Sequence, residues 1–272
     1  MSYQVMKKHK PINIGISACL TGEPVRYDGG HAYISALCEY MSSLFTLVPI
    51  CPEIAIGLGV PRVPIQLVGE PDTACALGVQ SPLIDVTAKI ADYAKCTLQS
   101  MPDLDGFVVK ARSPSCGLEM TPVFNNRNIR TGTGSGIFTR TLRDTHPIMP
   151  IIDESCINNL ARLDNFILHI CVYSIFRQWV LEAEDQQVAL NLFHSNLSNA
   201  LGIQMTASQD TFEQISESCV TEKQLMQYAR QLFGQLSGRI LPEILPKKVT
   251  GIPAAHFDSK RVINFMDKLK DG

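Results

Sequence analysis

Three cysteines in this chain follow short apolar runs that are typical of β-strands. Cys19 lies in ISACLTGEPVRYDGG, Cys51 in LVPICPE and Cys116 in VVKARSPSCG. In an open parallel sheet, the carboxyl ends of neighbouring strands border one crevice, and ligands bind there. We therefore expect the three thiols to lie close together in the folded protein, although they are far apart in the sequence.

Three converging thiols are suited to a metal centre, because thiolates bind both iron–sulfur clusters and zinc. A structural zinc site normally has four ligands, often supplied as C-x2-C pairs, and the sequence contains no such pair. The set therefore favours a [4Fe–4S] cluster in which one iron has no protein ligand and is open to a substrate atom. Taken singly, each thiol is equally compatible with an inert buried cysteine.

Two further side chains lie close to these cysteines in the sequence. Glu53 follows Cys51 by two positions, and Ser113 precedes Cys116 by three. If the thiols converge, a carboxylate and a hydroxyl border the same crevice, where they can transfer protons. The spacing also fits structural roles, in which Glu53 caps a helix or pairs with Arg26 or Arg112, and Ser113 is a turn residue.

The order of apolar segments predicts the fold of the first half of the chain. Strand-like runs cover residues 12–18, 45–50, 63–68, 106–110 and 146–152. Helical patterns cover residues 31–42, 82–101 and 137–143, and the segment RTGTGSG at 130–136 is predicted to be a flexible loop. This alternation predicts an α/β fold over residues 1–154, with a Rossmann-like parallel sheet and flanking helices.

The pattern changes after residue 152, where apolar residues recur at steps of three and four, as in amphipathic helices. These stretches cover residues 160–175, 182–201, 211–218 and 222–241. We therefore predict a smaller all-helical domain over residues 155–272.

Composition narrows the class of protein. The formal net charge of −2 gives no general attraction to nucleic acid or anionic lipid. No apolar run is long enough for a membrane helix, and the N-terminal segment MSYQVMKKHKPINIG has no signal-peptide core. We predict a cytoplasmic protein whose nine cysteines are free thiols or metal ligands. Five of them fall on helical patterns and are expected to be inert: Cys38, Cys96, Cys156, Cys171 and Cys219. Cys75 is predicted to lie in a loop, and the sequence assigns it no role.

The cysteine motifs, together with GSGIFTRTL and PIMPIIDE further along, resemble those of the TudS-type thiouracil desulfidases. The resemblance covers roughly residues 11–154, and the motifs occur together and in order. It implies that Cys19, Cys51 and Cys116 bind a [4Fe–4S] cluster, with Glu53 and Ser113 as the catalytic residues.

The resemblance also implies a reaction. A thiolated pyrimidine would place its sulfur on the open iron, Glu53 would activate water, and Ser113 would pass a proton as the C–S bond breaks. The products would be hydrogen sulfide and the oxo base, without net redox change. Three residues that follow Cys19 in the first motif, Arg26, Tyr27 and Asp28, would hold the ring or ribose, or would form a structural turn.

Some relatives of this family carry a C-terminal helical domain and act on 4-thiouridine in tRNA. Residues 155–272 are similar to that domain in helical pattern, and FHSNL at 193–197 resembles its Phe-His motif. Residues 151–272, however, carry 11 Lys and Arg against 14 Asp and Glu, whereas an RNA platform normally has clustered basic residues. The substrate is therefore a thiolated base, a nucleotide or tRNA, and the oligomeric state stays open.

Two other functions are compatible with the residues. The chain could be a non-catalytic RNA-binding or sensor protein with a structural iron–sulfur or zinc site. It could also bind phosphate through residues 131–136, although this segment has no P-loop lysine and does not match G-x-G-x-x-G.

Overall fold

The structure is a computed structural model that describes residues 10–202, 212, 213, 215, 221–237, 262 and 264–266. The chain divides into two compact units. One contains Asn13–Asn158, and the other contains Asn159–Gly272 together with Met1–Ile12. In the second unit, Lys10 Nζ lies 3.2 Å from a carboxylate oxygen of Glu182, so the segment before the first strand is tied to the helical unit.

Eight strands are found in the described residues of the first unit. They are β1 (Asn13–Ser17), β2 (Thr46–Ile50), β3 (Ile65–Val68), β4 (Cys75–Gly78), β5 (Leu104–Val109), β6 (Thr121–Phe124), β7 (Arg130–Gly134) and β8 (Ile151–Asp153). They form two sheets of four strands each.

The first sheet has the order β2-β1-β5-β8, and all of its pairs are parallel. Every residue of β5 is buried, as expected for a central parallel strand that is covered on both faces. The chain places β2 on one side of β1 and β5 on the other, so the strand order reverses at β1. This is the topological switch point, where ligands bind outside the carboxyl ends of the strands.

The second sheet has the order β4-β3-β6-β7 and is mixed, with a parallel β3–β6 pair between two antiparallel pairs. The prediction of a flexible loop at residues 130–136 is wrong over β7, which pairs antiparallel with β6. The sequence gave no sign of this strand, because glycines occupy positions where a strand pattern normally has apolar side chains. Gly134 is needed there, since a Cβ at this position would lie 2.6 Å from the carbonyl oxygen of Pro71.

Four α-helices flank these strands in the first unit: α1 (Ser35–Leu44), α2 (Pro52–Ala55), α3 (Thr87–Ser100) and α4 (Ile137–Thr145). Helix α3 begins later than the predicted residue 82. The preceding residues turn back along β4, where Asp85 forms a bridge with Leu77 and Gly78 donates to the carbonyl of Ile84. The rings of Phe107 and Phe138 join β5 to α4 at a centroid distance of 5.4 Å.

The second unit contains α5 (Leu160–Phe176), a π-helical turn (Arg177–Leu181), α6 (Gln186–Leu201) and α7 (Glu222–Leu236). Side chains cap the starts of all three α-helices: Asn159 before α5, Asp185 before α6, and Thr221 in a capping box with Gln224 before α7. The predicted helix at 211–218 lies largely outside the described residues, although 212, 213 and 215 are helical. The predicted α/β class, with a parallel sheet followed by further helices, is confirmed.

None of the helices in the described part of the chain combines the length and apolar character that a bilayer crossing requires.

Gly15 determines how closely the two central strands pack. It is paired with Phe107 across β1 and β5, and a Cβ at position 15 would lie 2.2 Å from a ring carbon of Phe107. We expect Gly15→Ala to lower the free energy of unfolding by about 1–3 kcal/mol, because the ring must leave its site. Chemical denaturation followed by circular dichroism measures this change.

The matched control is Gly234→Ala on α7, where no atom lies within 4 Å of an added Cβ. Alanine is favoured over glycine by about 0.5–1 kcal/mol in a helix, so this variant should be equally or more stable than the wild type. Equal stability of Gly15→Ala and the wild type would contradict the role assigned to Gly15.

Candidate functional site

The carboxyl ends of β1, β2 and β5 border a pocket of about 310 Å³. All five residues predicted as cofactor ligands or catalytic groups line it: Cys19, Cys51, Cys116, Glu53 and Ser113. The pocket is therefore located at the switch point of the parallel sheet, where the topology favours ligand binding. Its other lining residues include Ser17, Arg26, Tyr27, Arg62, Lys110 and Arg112.

Cys19 lies in the 3-10 turn (Ala18–Thr21) that follows β1. Its carbonyl accepts a hydrogen bond from the amide of Ala32 at 2.8 Å, which fixes the backbone beside the pocket. Burial raises the pKa of the Cys19 thiol to about 11, and the nearby Cys51 adds to this increase. The cations Lys110 and Arg26 oppose the increase.

Cys51 directly precedes the short helix α2, which begins at Pro52 because proline fits the first helical position. Burial raises the pKa of the Cys51 thiol above its usual value, while the backbone amide of Ile54 opposes the increase. The same helical turn carries Glu53, so the sheet end and the helix start together place a thiol and a carboxylate beside one pocket.

Cys116 lies in a loop that is docked on the amino-terminal end of α4. The amides of Ile137 and Phe138 donate to the carbonyls of Pro114 and Ser115, and Thr139 Oγ1 donates to the carbonyl of Cys116 at 2.6 Å. The two amides are backbone donors at the helix start that have no partner inside the helix. The loop therefore has a fixed backbone rather than a mobile one.

Close approach of this loop to α4 depends on Gly136. A Cβ at that position would lie 2.6 Å from the carbonyl carbon of Ser115 and 2.8 Å from the amide nitrogen of Cys116. The sequence segment RTGTGSG thus has a structural use that its composition alone did not reveal.

Burial raises the pKa of the Cys116 thiol most strongly, and the charges of Glu53, Cys51 and Cys19 add to the increase. A hydrogen bond from the Ser17 hydroxyl lowers it. Ser17 Oγ also accepts the amide of Lys110 at 2.9 Å, and it therefore links the ends of β1 and β5. The charge of Cys51 raises the pKa of Cys19, and both raise the pKa of Cys116, so the three thiols lie within electrostatic range of one another.

Iron–sulfur clusters and zinc both accept thiolate ligands, and they differ in the separation of the sulfurs that they require. Three thiols of one tetrahedral zinc would lie about 3.8 Å apart, as follows from Zn–S bonds of about 2.3 Å. Within the described residues, no group of three or more Cys, His, Asp or Glu residues is arranged to hold one ion. In a cluster, each thiolate binds a different iron, so the sulfurs line a larger space. The three thiols line one pocket of about 310 Å³, which is compatible with such a cluster.

Glu53 is held by two partners. Its Oε2 accepts from Arg62 Nε at 2.8 Å, and its Oε1 accepts from Ser115 Oγ at 2.9 Å. The side chains of Arg62 and Glu53 are only 6% and 14% exposed, so this is a largely buried ion pair. The alternatives in which Glu53 pairs with Arg26 or Arg112 are wrong. Each carboxylate oxygen retains acceptor capacity, since an ionised carboxylate has about four lone-pair sites.

Arg62 connects its own loop to helix α2 and to the segment after β1, and this role was missed in the sequence. Besides Glu53, its guanidinium donates to the carbonyls of Val25 at 2.7 Å and Gly59 at 2.8 Å. Its own amide donates to the carbonyl of Tyr27 at 3.0 Å. Arg62 lies in a Gly- and Pro-rich loop without periodicity, which gave no signal for its position.

The Ser113 hydroxyl accepts two backbone hydrogen bonds, from the amides of Ser115 at 3.3 Å and Cys116 at 3.1 Å. Both use oxygen lone pairs, so neither occupies the hydroxyl proton. These two contacts agree with the alternative in which Ser113 is a turn residue. The proton is still available for donation into the pocket that Ser113 lines.

The three predicted substrate residues differ in position. Arg26 and Tyr27 line the pocket, and the Tyr27 side chain is substantially exposed. Asp28 is not among the lining residues, but it holds Arg26 through two hydrogen bonds of 3.2 and 3.3 Å. The Arg26 guanidinium lowers the pKa of the Asp28 carboxyl.

A second ion pair stabilises the end of β5. Lys110 Nζ pairs with Glu154, and the other oxygen of Glu154 accepts the amide of Ala111. Glu154 follows β8 directly, so this pair ties the ends of two neighbouring strands together. The sequence gave no indication of it, because 44 positions separate the partners.

The other cysteines differ from the three in the pocket. Cys156 and Cys171 are buried, Cys96 is exposed, and Cys38 donates to the carbonyl of Leu20 at 3.2 Å. Cys75 lies in β4 rather than in the predicted loop. Cys219 lies outside the described residues.

By its fold and pocket, the first unit is an α/β protein with a thiol-rich ligand pocket at the carboxyl edge of its parallel sheet. The family described as 2-thiouracil desulfurase matches residues 14–154, which is more than half of the 272 residues. The chain therefore belongs to the 2-thiouracil desulfurase family, and the resemblance seen in the motifs is confirmed.

Two similar proteins each match just over half of the chain. The uncharacterized protein YbbK of Bacillus subtilis (strain 168) is 27% identical over 153 residues, which are 53% of this chain and 97% of the relative. A solved structure titled [4Fe-4S]-dependent thiouracil desulfidase TudS is 29% identical, with a TM-score of 0.45. That match covers 56% of this chain and 97% of the solved chain.

The buried ion pair between Glu53 and Arg62 gives a stability prediction. We expect Arg62→Gln to lower the free energy of unfolding by about 3 kcal/mol, because it leaves a largely buried carboxylate without its cation. Urea denaturation measures the loss. Adding Glu53→Gln to this variant should recover part of it, since the unpaired charge is then removed.

Arg143→Gln is the matched control, because the Arg143–Glu119 pair is also short, at 2.6 Å, but both of its side chains are about half exposed or more. Surface pairs contribute at most about 1 kcal/mol. If Arg62→Gln and Arg143→Gln lower the free energy of unfolding by similar amounts, burial does not make the Glu53–Arg62 pair more important than a surface pair.

Proposed function

We propose that this chain removes sulfur from a thiolated pyrimidine by hydrolysis. The C=S group and water are converted into C=O and hydrogen sulfide, so both protons of water end on the released sulfur. Carbon keeps its oxidation state, and the reaction needs no electron donor. This proposal rests on family membership and on one observation: three strand-end thiols, a carboxylate and a hydroxyl line a single pocket.

The cofactor in this proposal is a [4Fe–4S] cluster held by Cys19, Cys51 and Cys116, with one iron left without a protein ligand. When bound, it would supply a soft Lewis acid that favours sulfur over oxygen and polarises the C=S bond. The raised pKa values of the three thiols imply that protons must leave before the cofactor binds.

Glu53 is assigned the role of general base. Arg62 and Ser115 each occupy part of its acceptor capacity and fix the plane of the carboxylate. A remaining lone pair accepts a proton from water while the water oxygen attacks the ring carbon. A carboxylate that is already oriented requires little rearrangement when the reaction starts.

Ser113 is assigned the transfer of a proton to the leaving sulfur. Its oxygen is oriented by the amides of Ser115 and Cys116, and its hydroxyl proton is not used in either bond. Among the predicted substrate residues, Arg26 and Tyr27 border the pocket and hold the ring or ribose, while Asp28 orients Arg26.

The substrate is a free base, a nucleotide or 4-thiouridine in tRNA, and for tRNA the unit with α5–α7 would contribute to RNA binding. Residues 1–154 would form the desulfidase domain and residues 155–272 the helical domain. The described structure gives Cys19, Cys51 and Cys116 no disulfide, which fits a reducing compartment, and we place the reaction in the cytoplasm.

Single serine substitutions test the ligand set. We expect Cys19→Ser, Cys51→Ser and Cys116→Ser each to lose most of the iron and the visible absorption after anaerobic reconstitution, because a cluster with three protein ligands tolerates no loss. Iron per chain is the measurement. The exposed Cys96 provides the control, and Cys96→Ser should keep full iron. Full iron in any of the three pocket variants would remove that residue from the ligand set.

Ser113→Ala tests the chemistry separately from the cofactor. We expect sulfide release to fall by about 10²–10⁴-fold, since a positioned proton donor contributes this much. Iron content should stay unchanged. The control is Ser43→Ala on α1, an exposed position whose hydroxyl donates to the nearby carbonyl of Tyr40 at 2.7 Å. Full activity in Ser113→Ala would show that the serine is structural.

The non-catalytic alternative is tested with the same wild-type protein. Anaerobic titration with 4-thiouridine monophosphate should change the visible spectrum if one iron is open to sulfur. An unchanged spectrum and no sulfide release from thiouracil, thiouridine monophosphate or thiolated tRNA would favour a structural metal site.

A further inference from the structure

Ser17 is the last residue of β1, and it borders the pocket although the sequence did not mark it as a site residue. It is buried, with only 2% of its surface exposed. Its oxygen accepts a hydrogen bond from the amide of Lys110 at 2.9 Å. A serine hydroxyl has one proton to donate in addition to its lone pairs, so this contact leaves the proton of Ser17 unused.

The proton of Ser17 is donated to the side chain of Cys116. The hydroxyl forms a hydrogen bond with the Cys116 sulfur and favours the thiolate. Both partners are fixed independently, because Lys110 at the end of β5 holds the Ser17 oxygen, and Thr139 on α4 holds the Cys116 carbonyl. The contact is therefore built into the edge of the sheet.

The pocket thiols differ in the source of their hydrogen bonds. Cys51 receives them from the backbone amides of Glu53 and Ile54, at the start of α2. Backbone donors of this kind are retained whichever side chains occupy the two positions. The hydrogen bond to Cys116 depends on the side chain of Ser17, so it is a contact that a single substitution can remove.

We propose that Ser17 is a positioning residue that keeps its hydrogen bond to the Cys116 thiolate when this thiolate binds the cofactor. The inference rests on the proposed function, which assigns a [4Fe–4S] cluster to Cys19, Cys51 and Cys116. Hydrogen bonds to the ligand sulfurs are one of the factors that set the reduction potential of such clusters. A donated proton draws negative charge away from the iron, so it raises the potential and makes an open iron a better acceptor for sulfur.

Reduction potential and iron retention test this inference without relying on turnover. The wild type and the variants Ser17→Ala, Ser17→Thr and Ser174→Ala are reconstituted anaerobically. The potential is measured by redox titration followed in the visible spectrum, and iron retention by competition with an iron chelator. Ser174 on α5 is the matched control, because it is a buried serine whose oxygen accepts from Gln178 at 2.9 Å and which does not line the pocket.

We expect Ser17→Ala to have a lower reduction potential than the wild type, because the thiolate then keeps its full negative charge. Its iron should be held about 10–100-fold less tightly against the chelator, as is typical when a group that supports a metal ligand is removed. Ser17→Thr retains the hydroxyl and should recover most of both properties. Ser174→Ala should have wild-type values.

A purely structural role of Ser17 predicts a different result, because Ser17→Ala also leaves the Lys110 amide without its acceptor. The iron-free variant would then be less stable in urea denaturation, while the potential and iron retention of the loaded protein would equal those of the wild type. That result would overturn the inference. Loss of the iron-free fold in Ser17→Ala, or an equal shift of the potential in Ser174→Ala, would overturn it as well.

Failure of the proposed function is distinguishable from failure of this inference. A wild type that takes up no iron would overturn the cofactor assignment and the role of Ser17 together. A loaded wild type that releases no sulfide would contradict the proposed reaction, whereas a lower potential in Ser17→Ala would still support the hydrogen bond to Cys116. Equal potentials in an active wild type and Ser17→Ala would overturn the inference alone.

Discussion

Strand β1 pairs in parallel with both β2 and β5, so the carboxyl ends of these three strands lie at the same edge of the sheet. Every feature of the pocket depends on this constraint. A strand end can present a side chain to the crevice only if its neighbours end at the same level, and the register across β1 achieves this. Gly15 permits the register by leaving room for the Phe107 ring.

The polar groups beside the pocket form linked units rather than separate contacts. Arg62 joins the segment after β1 to the helix after β2 through Val25 and Glu53. Ser17 joins the end of β1 to the end of β5 by accepting a hydrogen bond from the amide of Lys110. Glu154 joins the end of β8 to the same place through Lys110 and Ala111. Buried polar networks are stable only when their members are satisfied. The pocket shape therefore depends on charge pairing as much as on apolar packing.

The sequence predicted the parts of the molecule that have a strong local pattern. The runs before Cys19, Cys51 and Cys116 are continuous and apolar, and they form β1, β2 and most of β5. The amphipathic repeat beginning at Leu160 forms α5. Strand β7 has glycines where a strand normally has apolar side chains, so its pairing with β6 left no local signal.

The sequence predicted which residues line the candidate site, but it did not predict the hydrogen bonds and ion pairs between them. The shared position of the three cysteines at strand ends indicated one crevice, because that inference needs only topology. The partner of Glu53 did not follow, since Arg62 reaches it from a loop whose path is set by tertiary contacts. Asp28 was expected beside the substrate, whereas it acts on Arg26 from outside the pocket.

Docking of the Cys116 loop on α4 has a consequence for local unfolding. The first turn of that helix supplies the donors that hold the carbonyls of Pro114, Ser115 and Cys116. If this turn frays, the loop loses its support and the thiol becomes accessible to solvent in the same event. Proteins open in contiguous cooperative segments rather than residue by residue. Hydrogen exchange at the start of α4 and oxidative damage at Cys116 should therefore rise together.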